Sequence, residues 1–132
     1  MPDSMTQILY SGPPGTKFNI AVLGDGFAEA DQTAYNNKVQ ELLLDGVFGR
    51  DYFYEDRQAY NIYRINLIST DSGISTKQYD EKGTPDNASD DTVSSTTILN
   101  TALNYIYSGS WAHCWLEGGV NTNTRVQNAL NT

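Results

Sequence analysis

The chain reads as an α/β domain, and three observations carry that reading. Phe18 to Leu23 is a short, nearly unbroken apolar run, as in a strand buried on both faces. An amphipathic stretch at helical spacing follows it, and then a second strand-forming run, Asn61 to Ser69. A strand, a helix and a strand within about fifty residues make a parallel βαβ unit with a right-handed crossover.

Ahead of the first strand, Ile8-Leu9 is the one apolar pair, and Ser11-Gly12-Pro13-Pro14-Gly15 is a turn. Strand 18–23 then ends in the tight turn Gly24-Asp25-Gly26. A helix is expected over about 29–45. Tyr35, Val39, Leu42 and Leu43 fall at i, i+4, i+7 and i+8, and Gly46 sits where a left-handed C′ residue is usual. Residues 51–60, rich in Tyr and Phe, read as a short helix or turn. The second strand, 61–69, carries Arg64 among apolar neighbours, which calls for a carboxylate partner or an edge position.

Residues 70–91 read as a long polar loop, because they hold Asp71, Asp80, Glu81, Asp86, Asp90 and Asp91. Structureless loops beyond about 15 residues are usually functional or disordered. A second helix is expected over about 95–107, on the spacing of Ile98, Leu99, Ala102, Leu103 and Ile106. Ser94 or Ser95 would be its N-cap and Gly109 its terminator. Trp111 to Leu116 forms an apolar patch. A last helix over about 123–130 presents Val126, Ala129 and Leu130.

Composition excludes several roles. The 132 residues carry a net charge of −8, so polyanionic partners, nucleic acid and anionic membrane, are disfavoured. No apolar stretch approaches the roughly 20 residues that span a bilayer, so no membrane insertion is expected. An acidic surface rich in uncharged polar residues suits a secreted protein. Met1-Pro2-Asp3-Ser4 nevertheless has neither the basic start nor the apolar run of a signal peptide. With one cysteine, Cys114, and one histidine, His113, the chain has no internal disulfide and no site built from two imidazoles.

Three motifs carry candidate chemistry. Gly24-Asp25-Gly26 follows a strand, as phosphate-binding and nucleophile turns do. However, the dinucleotide fingerprint needs glycine where Glu29 stands, and Gly26 has no nucleophile. The turn is therefore read as structural, with Asp25 bonding backbone N–H groups; a small hydrolase using Asp25 stays as an alternative. His113-Cys114 pairs an imidazole with a thiol, but adjacent residues of an extended segment face opposite ways. A lone cysteine in a secreted chain calls for a partner, here one beyond Thr132. The acidic loop makes calcium the candidate cation, through Asp80, Asp86, Asp90 and Asp91, although their spacing is not that of an EF-hand.

The run Phe18-Asn19-Ile20-Ala21-Val22-Leu23-Gly24-Asp25-Gly26-Phe27 resembles the opening of the IgA peptidase family of zinc metallopeptidases. Asn61 to Ser69 with Ser72-Gly73, then Thr101-Ala102-Leu103 and Arg125 to Leu130, are similar to segments that follow in that family. The resemblance covers about 8–132, and its order and spacing are more specific than any one motif. It implies a metzincin-like zincin fold. It also implies zinc held by His-Glu-x-x-His and a third ligand, with the Glu as general base. That motif is absent here, so no catalytic or zinc-binding residue is carried over. Phe27 and Ala28 stand where the family has Tyr and a helix-capping Thr.

Residues 1–132 are thus expected to be the N-terminal part of a metallopeptidase catalytic domain, ending before the zinc helix. They would be the scaffold of a secreted zinc-dependent endopeptidase acting on protein or peptide substrates, and inactive alone. The alternative is a non-catalytic α/β binding or adhesion module with no zinc site.

Overall fold

The structure is a computed structural model that describes residues 1–110, 113–119 and 122–131. Among the described residues, seven strands form two sheets. In the first, β1 (Ser4–Leu9), β2 (Phe18–Leu23) and β3 (Tyr60–Asn66) lie in the order β1-β3-β2. The β2–β3 pair is parallel, in register from Phe18 opposite Tyr60 to Leu23 opposite Ile65, and β1 runs antiparallel on the far side of β3. A parallel pair joined by a helix is the α/β unit expected, and β2 occupies residues 18–23.

The second strand stops at Asn66, short of 69, because the backbone beyond it is claimed by other groups. Asp3 Oδ1 accepts the Ile68 N–H at 2.8 Å, and Ser69 makes a single parallel bridge to Ala28. Arg64 lies on this central strand and donates Nε to Asn66 Oδ1 at 2.8 Å.

Helix formation after the turn begins with a 3-10 turn, Glu29–Asp31, and continues as α1 (Gln32–Val39) and then as a π-helix, Gln40–Val47. The π-helix widens each hydrogen-bonded turn to i→i+5 and so rotates the apolar stripe. Leu43 and Leu44 become half-buried, and Leu42, expected on the core face, is 61% exposed. The aromatic segment forms α2 (Asp51–Glu55) and a 3-10 turn, with the buried Phe48 ring edge-on to Phe53 and Tyr60.

The expected helix over 95–107 is not there. Residues 92–97 are β5, residues 105–109 are β6, and an irregular segment joins them. Thr92-Val93-Ser94-Ser95-Thr96-Thr97 is mostly β-branched and hydroxylated, which favours a pleated strand and disfavours a helix. Ser94 and Ser95 accordingly bond Gln78 across the sheet and cap nothing. Asn104 at φ 57° ends any helical path before β6. The periodicity misled because Ala102 and Leu103 are core residues of a loop, whereas Ile98 is 63% exposed. The polar stretch 70–91 is likewise no single loop, since it contains β4 (Ser75–Asp80).

The second sheet has the order β5-β4-β6-β7, with β7 at Cys114–Gly118. Trp111 and Ala112 of the apolar patch lie outside the described residues, and Trp115 and Leu116 are exposed on β7. Tyr107 of β6 is 48% exposed.

Alternation along β3 assigns the two faces of the first sheet. Asn66 donates to Gln32 and Asn36 of α1, so the Ile62, Arg64 and Asn66 side faces that helix. Ile65 and Leu67 point the other way, into a core completed by Ala102, Leu103 and Ala129 of α3 (Thr122–Leu130), with Tyr63, Met5 and Val126 against it. Arg125 fastens α3 there: it forms a two-pronged pair with Asp3 and donates to the Ile68 carbonyl at 3.1 Å. Among the described residues no helix is long and apolar enough to cross a membrane.

Ala28 is the N-cap residue of the first turn, with φ −70° and ψ 176°, and it brings no side-chain acceptor. Only the reciprocal half of a capping box exists, in which Asp31 Oδ2 accepts the Ala28 N–H at 3.1 Å. Ala28→Thr supplies the missing oxygen and is expected to stabilise the chain by about 1 kcal/mol. A thermal melt checks this, and an unchanged or lower midpoint would contradict the capping geometry.

Candidate functional site

Gly24, Asp25 and Gly26 sit where the first sheet meets the second. Both oxygens of the Asp25 carboxylate are fully used. Oδ1 accepts the N–H groups of Gly26 and Leu103, at 3.0 and 2.9 Å. Oδ2 accepts the Thr101 hydroxyl at 2.9 Å and the Tyr105 N–H at 3.0 Å. An ionised carboxylate offers about four lone-pair sites, so nothing remains for a substrate or a proton in transit. Three of the four donors lie more than seventy-five residues along the chain, in the loop before β6 and at its start.

Ser69 repeats the link, its Oγ accepting the Gly26 N–H at 3.1 Å and the Ala102 N–H at 2.9 Å. Gly26 has φ +80°, and a Cβ there would lie 2.0 Å from the Gly73 carbonyl oxygen, so the approach of the two segments requires glycine. The Gly73 N–H donates to the Gly26 carbonyl at 2.8 Å and closes the contact. At Gly24 a Cβ would meet the Tyr35 ring at 2.6 Å; the Tyr35 hydroxyl donates to the Val22 carbonyl at 2.9 Å, and burial pushes its pKa up to about 12. A cleft of about 400 Å³ opens beside the turn, where Ser72 donates to Asp31.

The four aspartates named for calcium are not gathered. Asp80 accepts the Lys82 N–H at 2.9 Å and faces its ammonium at 3.4 Å, and these hold its carboxyl below the usual range. Asp90 Oδ2 accepts the Thr84 hydroxyl at 2.6 Å, and Asp86 is exposed. Oδ1 of Asp90 and of Asp91 are buried without a partner. Among the described residues no three His, Cys, Asp or Glu side chains form a group that could hold a metal.

His113 Nε2 lies 2.7 Å from the Pro85 carbonyl, which can only accept, so Nε2 carries the proton and ties β7's approach to the 81–91 loop. Cys114 is a free, exposed thiol. The residues present do not fit the zinc that the resemblance implies: the single imidazole is bonded to a backbone carbonyl, and no carboxylate pair joins it in a metal-holding group among the described residues.

Sequence reasoning missed a second polar cluster. Across β4, β6 and β7, Lys77 Nζ meets Glu117 Oε1 at 2.6 Å and Ser108 donates to the same oxygen at 2.9 Å, beside the Tyr79–Trp115 ring pair. The alternation Ser75, Lys77, Tyr79 was the available signal, hidden by reading 70–91 as a loop.

Two expectations follow from this geometry. Asp25→Asn replaces one acceptor oxygen by an amide NH₂ facing N–H donors, and is expected to destabilise the chain by about 3 kcal/mol in urea unfolding. In the second sheet, hydrogen bonds from Lys77 and Ser108 lower the Glu117 pKa, and the bond to Glu117 raises that of Lys77. Glu117 therefore stabilises above its unfolded value of about 4.3, and this is lost as pH falls through the lowered folded value. Lys77 stabilises below about 10.4, and this is lost as pH rises through its raised value. The stability difference between the native chain and Lys77→Met should be flat through neutrality and shrink at both extremes, measured by urea unfolding across pH.

Among curated proteins, no sequence matches the chain. The model of the family described as IgA Peptidase M64 does match, over residues 6–102, which takes in most of β1, all of β2 and β3, α1, the Asp25 corner and its partners Ser69, Gly73 and Thr101. With well over half of its length matched in this way, the chain belongs to the IgA peptidase M64 family.

Proposed function

We propose that this chain is the N-terminal scaffold of a secreted, zinc-dependent endopeptidase that hydrolyses peptide bonds in protein substrates. The observation that carries the reading is the family match over the β2–α1–β3 unit and the Asp25 corner, in a chain whose own side chains offer no zinc-holding group among the described residues. The role left for these residues is mechanical. They hold a short parallel sheet and a rigid corner against which a zinc-bearing helix would pack. The zinc ligands, and the general base expected with them, would come from polypeptide outside these 132 residues.

Secretion is part of the same proposal, supported by the acidic surface rich in uncharged polar residues and the scarcity of lysine. No catalytic step is assigned to any residue here, since Asp25 is saturated by donors and His113 is turned to a carbonyl. The 132-residue chain is expected to show no hydrolysis of casein or gelatin with added Zn²⁺. Chelator-sensitive cleavage by this chain alone would overturn the scaffold reading.

A further inference from the structure

A cavity in the second sheet shares no residue with the Asp25 corner. About 450 Å³ of space opens over the ends of β4 and β6, with Thr76, Gln78, Ser94, Tyr107 and Ser110 in its wall. Small-ligand sites occupy roughly 300–1,000 Å³, so the volume suits one. Strand register decides which side chains reach it. Thr76 pairs with Tyr107 and Gln78 with Gly109, so Thr76, Gln78 and Tyr107 share one face of the sheet. Lys77 also borders the cavity, but its ammonium is turned to the other face, where it meets Glu117 at 2.6 Å. The β4–β5 register slips between Gln78 and Tyr79, which makes Ser94 the extra residue of a bulge. Bulges re-aim a side chain, and this one brings Ser94 to the cavity.

The wall offers hydrogen bonds and an aromatic ring, and no free charge. Gln78 Oε1 accepts the Ser95 hydroxyl at 3.2 Å, while its Nε2 amide has no partner among the described residues. The Thr76 hydroxyl has none there either. Ser94 donates to the Gln78 carbonyl at 3.2 Å and keeps its lone pairs. Tyr107 is half-exposed, and a hydrogen bond between its hydroxyl and the Cys114 thiol pins the ring and raises its pKa. An anion would find no unpaired cation here, and a cation would find no carboxylate. A wholly apolar molecule would bury the amide and hydroxyls unpaired. A neutral ring bearing hydroxyls, with C–H groups on its faces, satisfies every part of the wall. Its hydroxyls pair with the amide and hydroxyl groups, and its C–H groups lie on the electron-rich face of the tyrosine.

We propose that this cavity binds a neutral saccharide, stacked on Tyr107 and hydrogen-bonded by Gln78, Thr76 and Ser94. A free sugar and a glycan carried on a protein present the same groups to it. The site stands independently of the scaffold reading, since it uses neither zinc nor the Asp25 corner.

Titration of the isotope-labelled 132-residue chain with lactose, maltose and N,N′-diacetylchitobiose, followed through its amide chemical shifts, tests the assignment. At least one of the three is expected to shift the Gln78, Gly109 and Ser110 amides saturably, with a Kd of about 1–10 mM. Tyr107→Ala is expected to weaken that binding at least roughly tenfold, whereas Tyr107→Phe keeps the ring and stays within about twofold. Gln78→Ala, at an exposed side chain, is expected to weaken it at least roughly threefold and serves if Tyr107→Ala does not fold. A desialylated glycoprotein on a sensor surface, before and after enzymatic removal of its glycans, separates the two sources. Retention that disappears with the glycans assigns the carried form, and binding of disaccharides without such retention assigns the free form. No saturable shift up to about 100 mM, with no glycan-dependent retention, would overturn the assignment. So would shifts that map outside the cavity, or unchanged affinity in both Tyr107→Ala and Gln78→Ala.

Discussion

One carboxylate, that of Asp25, joins the two halves of this molecule. It accepts four hydrogen bonds, and three of the donors belong to residues 101–105 at the entrance to the second sheet. Hydrogen bonds to a charged group are worth about 1.5–3 kcal/mol each, roughly twice the neutral kind, so few single side chains hold more of the fold. Of the four donors, the Gly26 N–H is shared with Ser69 Oγ at 3.1 Å. Thr101 and Leu103 sit in a loop with no helix or strand to satisfy its backbone, and Leu103 and Ala102 are buried in the core. Without an acceptor there, the Leu103 and Tyr105 N–H groups and the Thr101 hydroxyl would lose their partner, and the loop could not close over Ile65 and Leu67.

The corner also explains why the family resemblance is scattered along the chain. Gly24-Asp25-Gly26, Ser69, Ser72-Gly73 and Thr101-Ala102-Leu103 are separated by tens of residues in sequence, yet they meet at one point. Gly26 and Gly73 approach through their backbones, Ser69 bridges Gly26 to Ala102, and Asp25 takes Thr101 and Leu103. Each motif is unremarkable alone because each supplies only one partner of a contact. Their order and spacing are specific because all of them must arrive together for the corner to close.

The first sheet was legible in the sequence because its signals are local. An apolar run of six, a Gly-Asp-Gly turn and a 3.6-residue stripe each specify their own element, and β2, α1 and β3 lie close to where those signals fall. The second sheet was illegible for an equally physical reason. Its outer strands are largely exposed, β5 throughout and β7 at Trp115 and Leu116, while Ser75 of β4 and Ser108 of β6 are buried. Such strands carry no clean alternation of apolar and polar residues. Leu99, Ala102 and Leu103 then supplied a false helical period, because a loop buried by hydrogen bonds to Asp25 and Ser69 obeys no period at all. The clue that argued otherwise was chemical: six consecutive residues with four threonines or valines and two serines are poor helix formers. The partners of Asp25 lay wholly beyond local reading, since nothing near Asp25 in sequence announces donors at 101–105.

The exposed outer strands of the second sheet and an edge of β2 without charge point to the same physical state, one in which burial is incomplete. Domains are stable as packed layers, and a strand row such as Thr76, Tyr107 and Leu116, aligned in register across β4, β6 and β7, is a layer waiting for a cover. The two halves differ in what they lack. The first sheet has α1 on one face and α3 on the other and an unpaired outer edge at β2, whereas among the described residues no helix covers the second sheet. Asp25 sits between these deficits, so anything that docks beside β2 reaches the second sheet through one rigid turn. The corner is stiff because its donors and acceptors are matched, and the surfaces around it are adhesive because theirs are not.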